Sequence, residues 1–185
     1  RMSPVTKAVN KQLLPLYDKP LFFYPLSVLM LAKIKDVLII VNKGQIEQFK
    51  KVLPNGDNLG INITYEEQEK PKGLPDAFIV GEKFIGNNSV ALILGDNFFF
   101  GQNLTRKLIK CTNLSKGAKV FLYPVRNPTL YGVAIIDKKN KIINIVEKPK
   151  KTKSNLAVTG LYFFDNNVIK LSKSLKPSKR KEIEI

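Results

Sequence analysis

Two short runs constrain the fold of this chain more than anything else in it. Asp36-Val37-Leu38-Ile39-Ile40-Val41 and Val90-Ala91-Leu92-Ile93-Leu94 are almost purely apolar. Runs of this length without alternation predict strands covered on both faces, the condition of strands in a parallel sheet. Helical spacing lies around them. Apolar residues recur at that spacing over Tyr24 to Lys33 (Leu26, Leu29, Met30) and over Gln45 to Leu53 (Ile46, Phe49, Leu53). Pro75 to Ile85 predicts a helix with Pro in its first turn, where a missing N–H costs little. Asn103 to Cys111 predicts another, and Ile61 to Glu66 alternates like a strand. This β–α alternation predicts an α/β fold, a mixed and mostly parallel sheet flanked by helices. The later half changes character. Ala118 to Val125, Gly132 to Ile136, Lys141 to Val146 and Ala157 to Phe164 predict strands, with a hairpin-type turn at Asp137 to Asn140 and a closing helix at Asn166 to Leu175. The sheet therefore gains antiparallel members late.

Composition removes several functions. There is no His, so imidazole acid–base chemistry and His-ligated zinc are excluded. The single Cys111 excludes an intrachain disulfide and a Cys-cluster metal site, and it suits a reducing, cytoplasmic compartment. The formal charge of +16 suggests nucleic acid or an anionic ligand. Only four of the 31 basic residues are Arg, and the lysines are spread among Ile and Asn, which reads mainly as solvated surface. A basic nucleic-acid-binding module would interleave aromatics with the cations. Here the aromatics sit in apolar runs and read as core.

A basic start (Arg1 to Lys11) followed by an apolar run (Leu21 to Ala32) mimics a signal peptide. Pro15, Asp18 and Pro20 intervene, and Lys33 and Lys35 follow directly. The run is also shorter than the ~20 residues that span a bilayer. The expectation is a soluble protein. The chain opens in loop-like sequence without a starter Met and stops mid-pattern at Glu182-Ile183-Glu184-Ile185, so residues 1–185 read as one domain of a longer polypeptide.

In an open α/β sheet, ligands bind beyond the carboxyl ends of the strands. That rule selects Asp96, which follows Gly95 at the end of the second apolar run. Its carboxylate could hold Mg²⁺, which takes few carboxylates and fills its shell with water and phosphate oxygens. It could equally cap the next segment. Glu147 and Lys148 end the run Ile142 to Val146 in the same way. They could serve a polyhydroxyl ligand and a phosphate, or form an exposed ion pair before Pro149. Gln68 follows a strand, and Gly73 precedes a helix whose N–H groups could face an anion or a base edge. Arg1 and Lys11, ten residues apart, offer cations ahead of the first helix, with Gln12 beside them. Taken singly, either cation could be surface charge.

Several stretches occur together and in order: Arg1-Met-Ser-Pro-Val-Thr6, Lys11-Gln-Leu-Leu-Pro-Leu-Tyr-Asp-Lys-Pro20, Pro25 to Ala32, Gly95-Asp-Asn97, Tyr131-Gly-Val133, Glu147-Lys-Pro149, Lys153-Ser-Asn155 and Ala157-Val-Thr-Gly-Leu-Tyr162. Collectively the chain resembles the glucose-1-phosphate thymidylyltransferases over essentially its whole length. The resemblance implies a nucleotidyltransferase (Rossmann-like) fold and an enzyme that joins dTTP and glucose 1-phosphate, with Mg²⁺, into dTDP-glucose and pyrophosphate. It implies Arg1 and Lys11 on the triphosphate with Gln12 beside them, Gln68 and Gly73 on the thymine, and Asp96 on the metal. It implies Asn97, Gly132, Glu147 and Val158 around the sugar, Tyr131 packed near it and Lys148 on its phosphate. It further implies a homo-oligomer, a tetramer. The family's Gly-rich loop should precede Arg1, and a second metal carboxylate should follow Ile185. Pro75-Asp76 replaces the family's usual Ala-Gln. The alternatives are a transferase using UTP or another base, a non-catalytic homologue and, more remotely, the nucleic-acid-binding module.

Overall fold

Helix α1 (Phe23–Leu31) is buried on two sides and ties together two of the three apolar cores. Leu26 and Leu29 pack with Phe22, Val37, Val41, Phe49, Leu53 and Ile61. Val28 and the following Ala32 pack with Leu108, Leu161 and Phe163. A helix that is apolar all round is buried this way, which explains why so few polar residues interrupt it. The structure, a computed structural model, describes Thr6 and residues 9–176. Arg1 and the segment ending in Ile185 lie outside the described residues.

Before α1, β1 (Pro15–Leu16) and β2 (Lys19–Pro20) form a short antiparallel hairpin that the sequence pattern does not announce. Strand β3 (Asp36–Asn42), helix α2 (Ile46–Val52) and strand β4 (Asn62–Gln68) form a parallel β–α–β unit with Asp36 opposite Asn62 and Asn42 opposite Gln68. The single helix expected over 75–85 is two, α3 (Asp76–Val80) and α4 (Glu82–Ile85), divided at Gly81. A Cβ at Gly81 would stand 3.0 Å from both the Ala77 carbonyl and Leu38, so β3 packs tightly on this joint.

The remaining elements build one sheet around its longest strand. Strands β5 (Val90–Ile93), β6 (Ala118–Pro124), β7 (Gly132–Ile136), β8 (Ile142–Glu147) and β9 (Leu156–Phe164) belong to it, with α5 (Leu104–Thr112) and α6 (Asn167–Ser174) packed on its faces. On one edge β9 pairs with β6. On the other it pairs with β5 through its second half and with β7 at Ala157. Leu161 and Phe163 point to α1 and α5, whereas Phe164 meets Phe78 of α3 beside Val168 and Ile169 of α6.

The α/β class and the mixture of pairings follow the expectation. The parallel share does not. Among the described ladders only β3–β4 is parallel, because β9 runs against all three of its neighbours. Nor is β3 covered on both faces. Val37 and Val41 are buried, but Leu38 to Ile40 are only half-buried. A cavity of about 960 Å³ opens between β3 and β5, lined by Leu38, Ile40, Val90 and Leu92 among others.

Candidate active site

The carboxyl end of β5 carries the first group of candidate residues. Leu94 closes the ladder by donating to the Gly160 carbonyl at 2.9 Å, and Asn97 N–H turns back to the Leu94 carbonyl at 3.0 Å. This tight turn lifts Asp96 onto the rim of the sheet. Lys11 reaches it from a short 3-10 turn (Lys11–Leu13). Asn10 fixes that turn by accepting the Gln12 N–H at 2.9 Å and donating to the Gln45 side chain at 2.6 Å. The Lys11 ammonium forms an ion pair with Asp96 Oδ2, and the Asn97 amide donates to Asp96 Oδ1 at 3.1 Å. Burial pushes the Asp96 carboxyl up. The Lys11 hydrogen bond and charge, with Asn97 behind them, outweigh it and hold the pKa below the usual carboxylate value. The pair is a third to a half exposed (33% for Asp96, 44% for Lys11), so an incoming anion can compete for the ammonium at modest cost.

Gln12, Gln68, Gly73 and Gly95 all line the cavity between β3 and β5. Gly95 lets Gln12 approach closely, since a Cβ there would stand 3.1 Å from Gln12 Cγ. Gln68 ends β4, with its amide 3.4 Å from the Lys70 carbonyl. Gly73 holds a φ of 114°, which disfavours any side chain at the entrance to α3.

A second cluster sits at the β7–β8 end. Gly132 faces Glu147 across the ladder, and a Cβ at 132 would meet Glu147 Oε2 at 2.9 Å and Val158 at 3.9 Å. Lys148 N–H donates to the Tyr131 carbonyl at 3.0 Å. The Lys148 ammonium is 3.8 Å from Glu147 Oε1, half-exposed. The exposed ion pair expected for Glu147 and Lys148 is thus formed, and it is of the loose kind that exchanges partners readily. The two clusters meet along one stretch of β9: Val158 lies beside Gly132 and Gly160 beside Asn97, so residues 158–160 run between Glu147 and Lys148 on one side and Asp96 and Lys11 on the other.

The structure therefore brings Lys11, Asp96 and Asn97 to one end of the β9 stretch 158–160 and Tyr131, Gly132, Glu147 and Lys148 to the other, beside Val158, and places Gln12, Gln68 and Gly73 around the cavity between β3 and β5. Arg1 lies outside the described residues. Sequence reasoning missed Asn10 and Gly160. An Asn immediately before Lys11-Gln12 was the available signal for the first, as a turn cap. A glycine inside a β-branched and aromatic strand was the signal for the second.

A family model described as nucleotidyl transferase matches residues 1–185, the entire chain. The chain belongs to the nucleotidyl transferase family. Curated relatives of this nucleotidyl transferase include the glucose-1-phosphate thymidylyltransferases of Neisseria meningitidis serogroup A (50% identical) and Mycolicibacterium smegmatis (48% identical). Each match covers all of this chain and 64% of the relative, so the chain spans a little less than two thirds of their length. A Bacillus anthracis structure described as a glucose-1-phosphate thymidylyltransferase in complex with a sucrose is 39% identical with a TM-score of 0.89, covering 99% of this chain and 74% of that one. A UDP-glucose pyrophosphorylase complexed with UDP-glucose is 26% identical with a TM-score of 0.83, covering 100% and 78%.

Transferases of this family generally use a divalent metal. Among the described residues no three acidic, Cys or His side chains cluster, and Asp96 is the carboxylate nearest Lys11 and Asn97. One carboxylate fits a hard cation that draws most of its ligands from substrate phosphates and water. Among the described residues no helix is long and apolar enough to cross a membrane.

Proposed function

We propose that the full-length protein transfers a thymidylyl group from dTTP to glucose 1-phosphate, releasing pyrophosphate and forming dTDP-glucose. The observation that carries this reading is the chain of contacts from Lys11 and Asp96 through Asn97 and residues 158–160 of β9 to Gly132, Glu147 and Lys148. Whole-chain likeness to relatives named for this reaction supports it.

In this reading a phosphate oxygen of glucose 1-phosphate attacks the α-phosphorus of dTTP, and the bond to the β-phosphate breaks with its electrons leaving on pyrophosphate. The nucleophile is already ionised at neutral pH, so no general base is required and the lack of His is no obstacle. Catalysis is positioning and charge neutralisation. Arg1 and Lys11 meet the triphosphate. Lys148 exchanges Glu147 for the sugar phosphate and brings it up against the second anion. Gln68 offers both a donor and an acceptor to the imide edge of thymine, with Gly73 giving a backbone contact and Gln12 lying alongside the nucleotide. Asn97, Gly132, Glu147 and Val158 line the sugar, and Tyr131 packs near it. Asp96 would hold Mg²⁺, which when bound screens the phosphate charges. By the same resemblance the protein works as a cytoplasmic homotetramer, with 1–185 as one nucleotidyltransferase domain.

The test is pyrophosphate release from full-length protein with dTTP or UTP, each paired with glucose 1-phosphate and other sugar 1-phosphates. The dTTP and glucose 1-phosphate pair should give the highest kcat/KM. A higher value with UTP would move the assignment to a uridylyltransferase, the activity named for the more distant structural neighbour.

A further inference from the structure

We propose that Gly160 is a positioning residue for sugar-phosphate binding. It fixes the orientation of the Asn97 amide through its N–H, and it keeps the space that the amide needs by having no side chain. The role of Asn97 at the sugar rests on the reading above. The geometry of Gly160 does not.

On its β5/β7 edge, β9 has a gap. The β5 ladder reaches Leu161, and β7 begins at Ala157. The Gly160 carbonyl still accepts from Leu94 at 2.9 Å, but beyond Ile93 β5 turns away into Gly95-Asp96-Asn97, and the Gly160 N–H loses its place in the ladder. A backbone donor inside a sheet must find an acceptor. Asn97 Oδ1 supplies it at 3.2 Å. On the opposite edge, where Val120 pairs with Tyr162 but Leu122 with Val158 so that β9 carries the extra residues, the neighbouring Thr159 hydroxyl donates to the Phe121 carbonyl at 2.8 Å. The strand is therefore held from both sides at this point.

The consequence concerns Asn97. An amide side chain has two ends, and nothing intrinsic decides which faces which neighbour. The Gly160 N–H claims the oxygen, so the NH₂ must face Asp96, where it donates at 3.1 Å to Oδ1. One backbone proton thereby sets the donor end of Asn97 beside the carboxylate that Lys11 pairs. The space is equally exacting. A Cβ on residue 160 would lie 2.6 Å from Leu94 Cδ1, 2.7 Å from Leu94 Cγ and 2.8 Å from Asn97 Oδ1. Gly160 is not among the residues with positive φ, so an alanine suits the backbone there. The nearest conflicts are with these two side chains.

The experiment uses the full-length protein and Gly160→Ala. Expected is a rise of tenfold or more in KM for glucose 1-phosphate with KM for dTTP within twofold, and a displaced Asn97 side-chain NH₂ cross-peak in ¹⁵N spectra, identified by its loss in Asn97→Ala. Once Leu94→Ala has removed the leucine conflict, the remaining clash runs through Asn97, so in that background the Asn97→Ala/Gly160→Ala double variant should be no more impaired than Asn97→Ala. Leu94→Ala/Gly160→Ala removes the leucine conflict and serves where the single variant folds poorly; it should keep both the KM split and the shifted cross-peak. An unmoved cross-peak, an unchanged sugar-phosphate KM, or additive losses in the Asn97 double variant in the Leu94→Ala background would each overturn the proposal. Should the unsubstituted protein not use dTTP and glucose 1-phosphate, the functional reading fails while the cross-peak still decides the role of Gly160.

Discussion

Gly132 leaves open the space that the Glu147 carboxylate occupies. The two residues are partners in the β7–β8 ladder, and a methyl group on 132 would stand 2.9 Å from Glu147 Oε2. Gly132→Ala must push the carboxylate or the strand aside. The expected result is about a tenfold higher KM for glucose 1-phosphate, roughly 1.4 kcal/mol of lost binding, with KM for dTTP nearly unchanged. Steady-state kinetics with each substrate varied in turn checks this.

Lys148 is the cation expected to act on charge in the transition state. Removing a group of that kind typically costs about 10²–10³-fold in rate, and Lys148→Ala should lower kcat/KM by that order. Lys50, at the end of α2 and loosely paired with Glu47 at 3.7 Å, is the control. An exposed pair of this sort contributes little, so Lys50→Ala should stay within about twofold of the unsubstituted protein in the same assay.

Gln68 sits at the mouth of the cavity between β3 and β5. Replacing its amide by a carboxylate keeps the shape, removes the donor and adds negative charge near an anionic nucleotide. Gln68→Glu should raise KM for dTTP by about tenfold or more, on the scale of a hydrogen bond left unmade at a charged group, and leave KM for glucose 1-phosphate within about twofold. Equal effects on both substrates would place Gln68 away from the base.

Alkaline unfolding should report on Tyr162. Burial, and then the nearby charge of Glu147, push its phenol up to about 12 from an ordinary 10.0. The folded pKa lies above the unfolded one, so the stabilisation is fully present below pH 10 and is lost as pH rises toward 12. Tyr65, pushed up to about 12 by burial, adds to the same loss. Urea unfolding at pH 8 and 11 should show a smaller pH-dependent drop for Tyr162→Phe than for the unsubstituted protein.

Most element types are readable from a period or from the length of an apolar run; the β1–β2 hairpin and the division of the 75–85 helix at Gly81 are the exceptions. The parallel β3–α2–β4 unit follows from an apolar run, a helical spacing and an alternating run in sequence. The antiparallel environment of β9 was harder to read, because pairing partners depend on contacts far apart in the chain, such as Ile93 with Leu161. The expected full cover of β3 failed because an apolar run reports what a strand could bury, not what lies beside it. Asp96, Glu147 and Lys148 stand out in the sequence because they end apolar runs, where ligands of α/β sheets bind. Their approach along β9, and the place of Gly160 in it, needed the register and could not be read from residue types.

The most direct measurement of the central claim is pyrophosphate release by the full-length protein with dTTP and glucose 1-phosphate, with and without Mg²⁺, set beside Asp96→Ala. The account predicts release that requires both substrates and the metal, and that falls by about 10²-fold or more in the variant, the scale of a transition-state electrostatic contact. Release that is indifferent to Mg²⁺, or equal in Asp96→Ala, would contradict it.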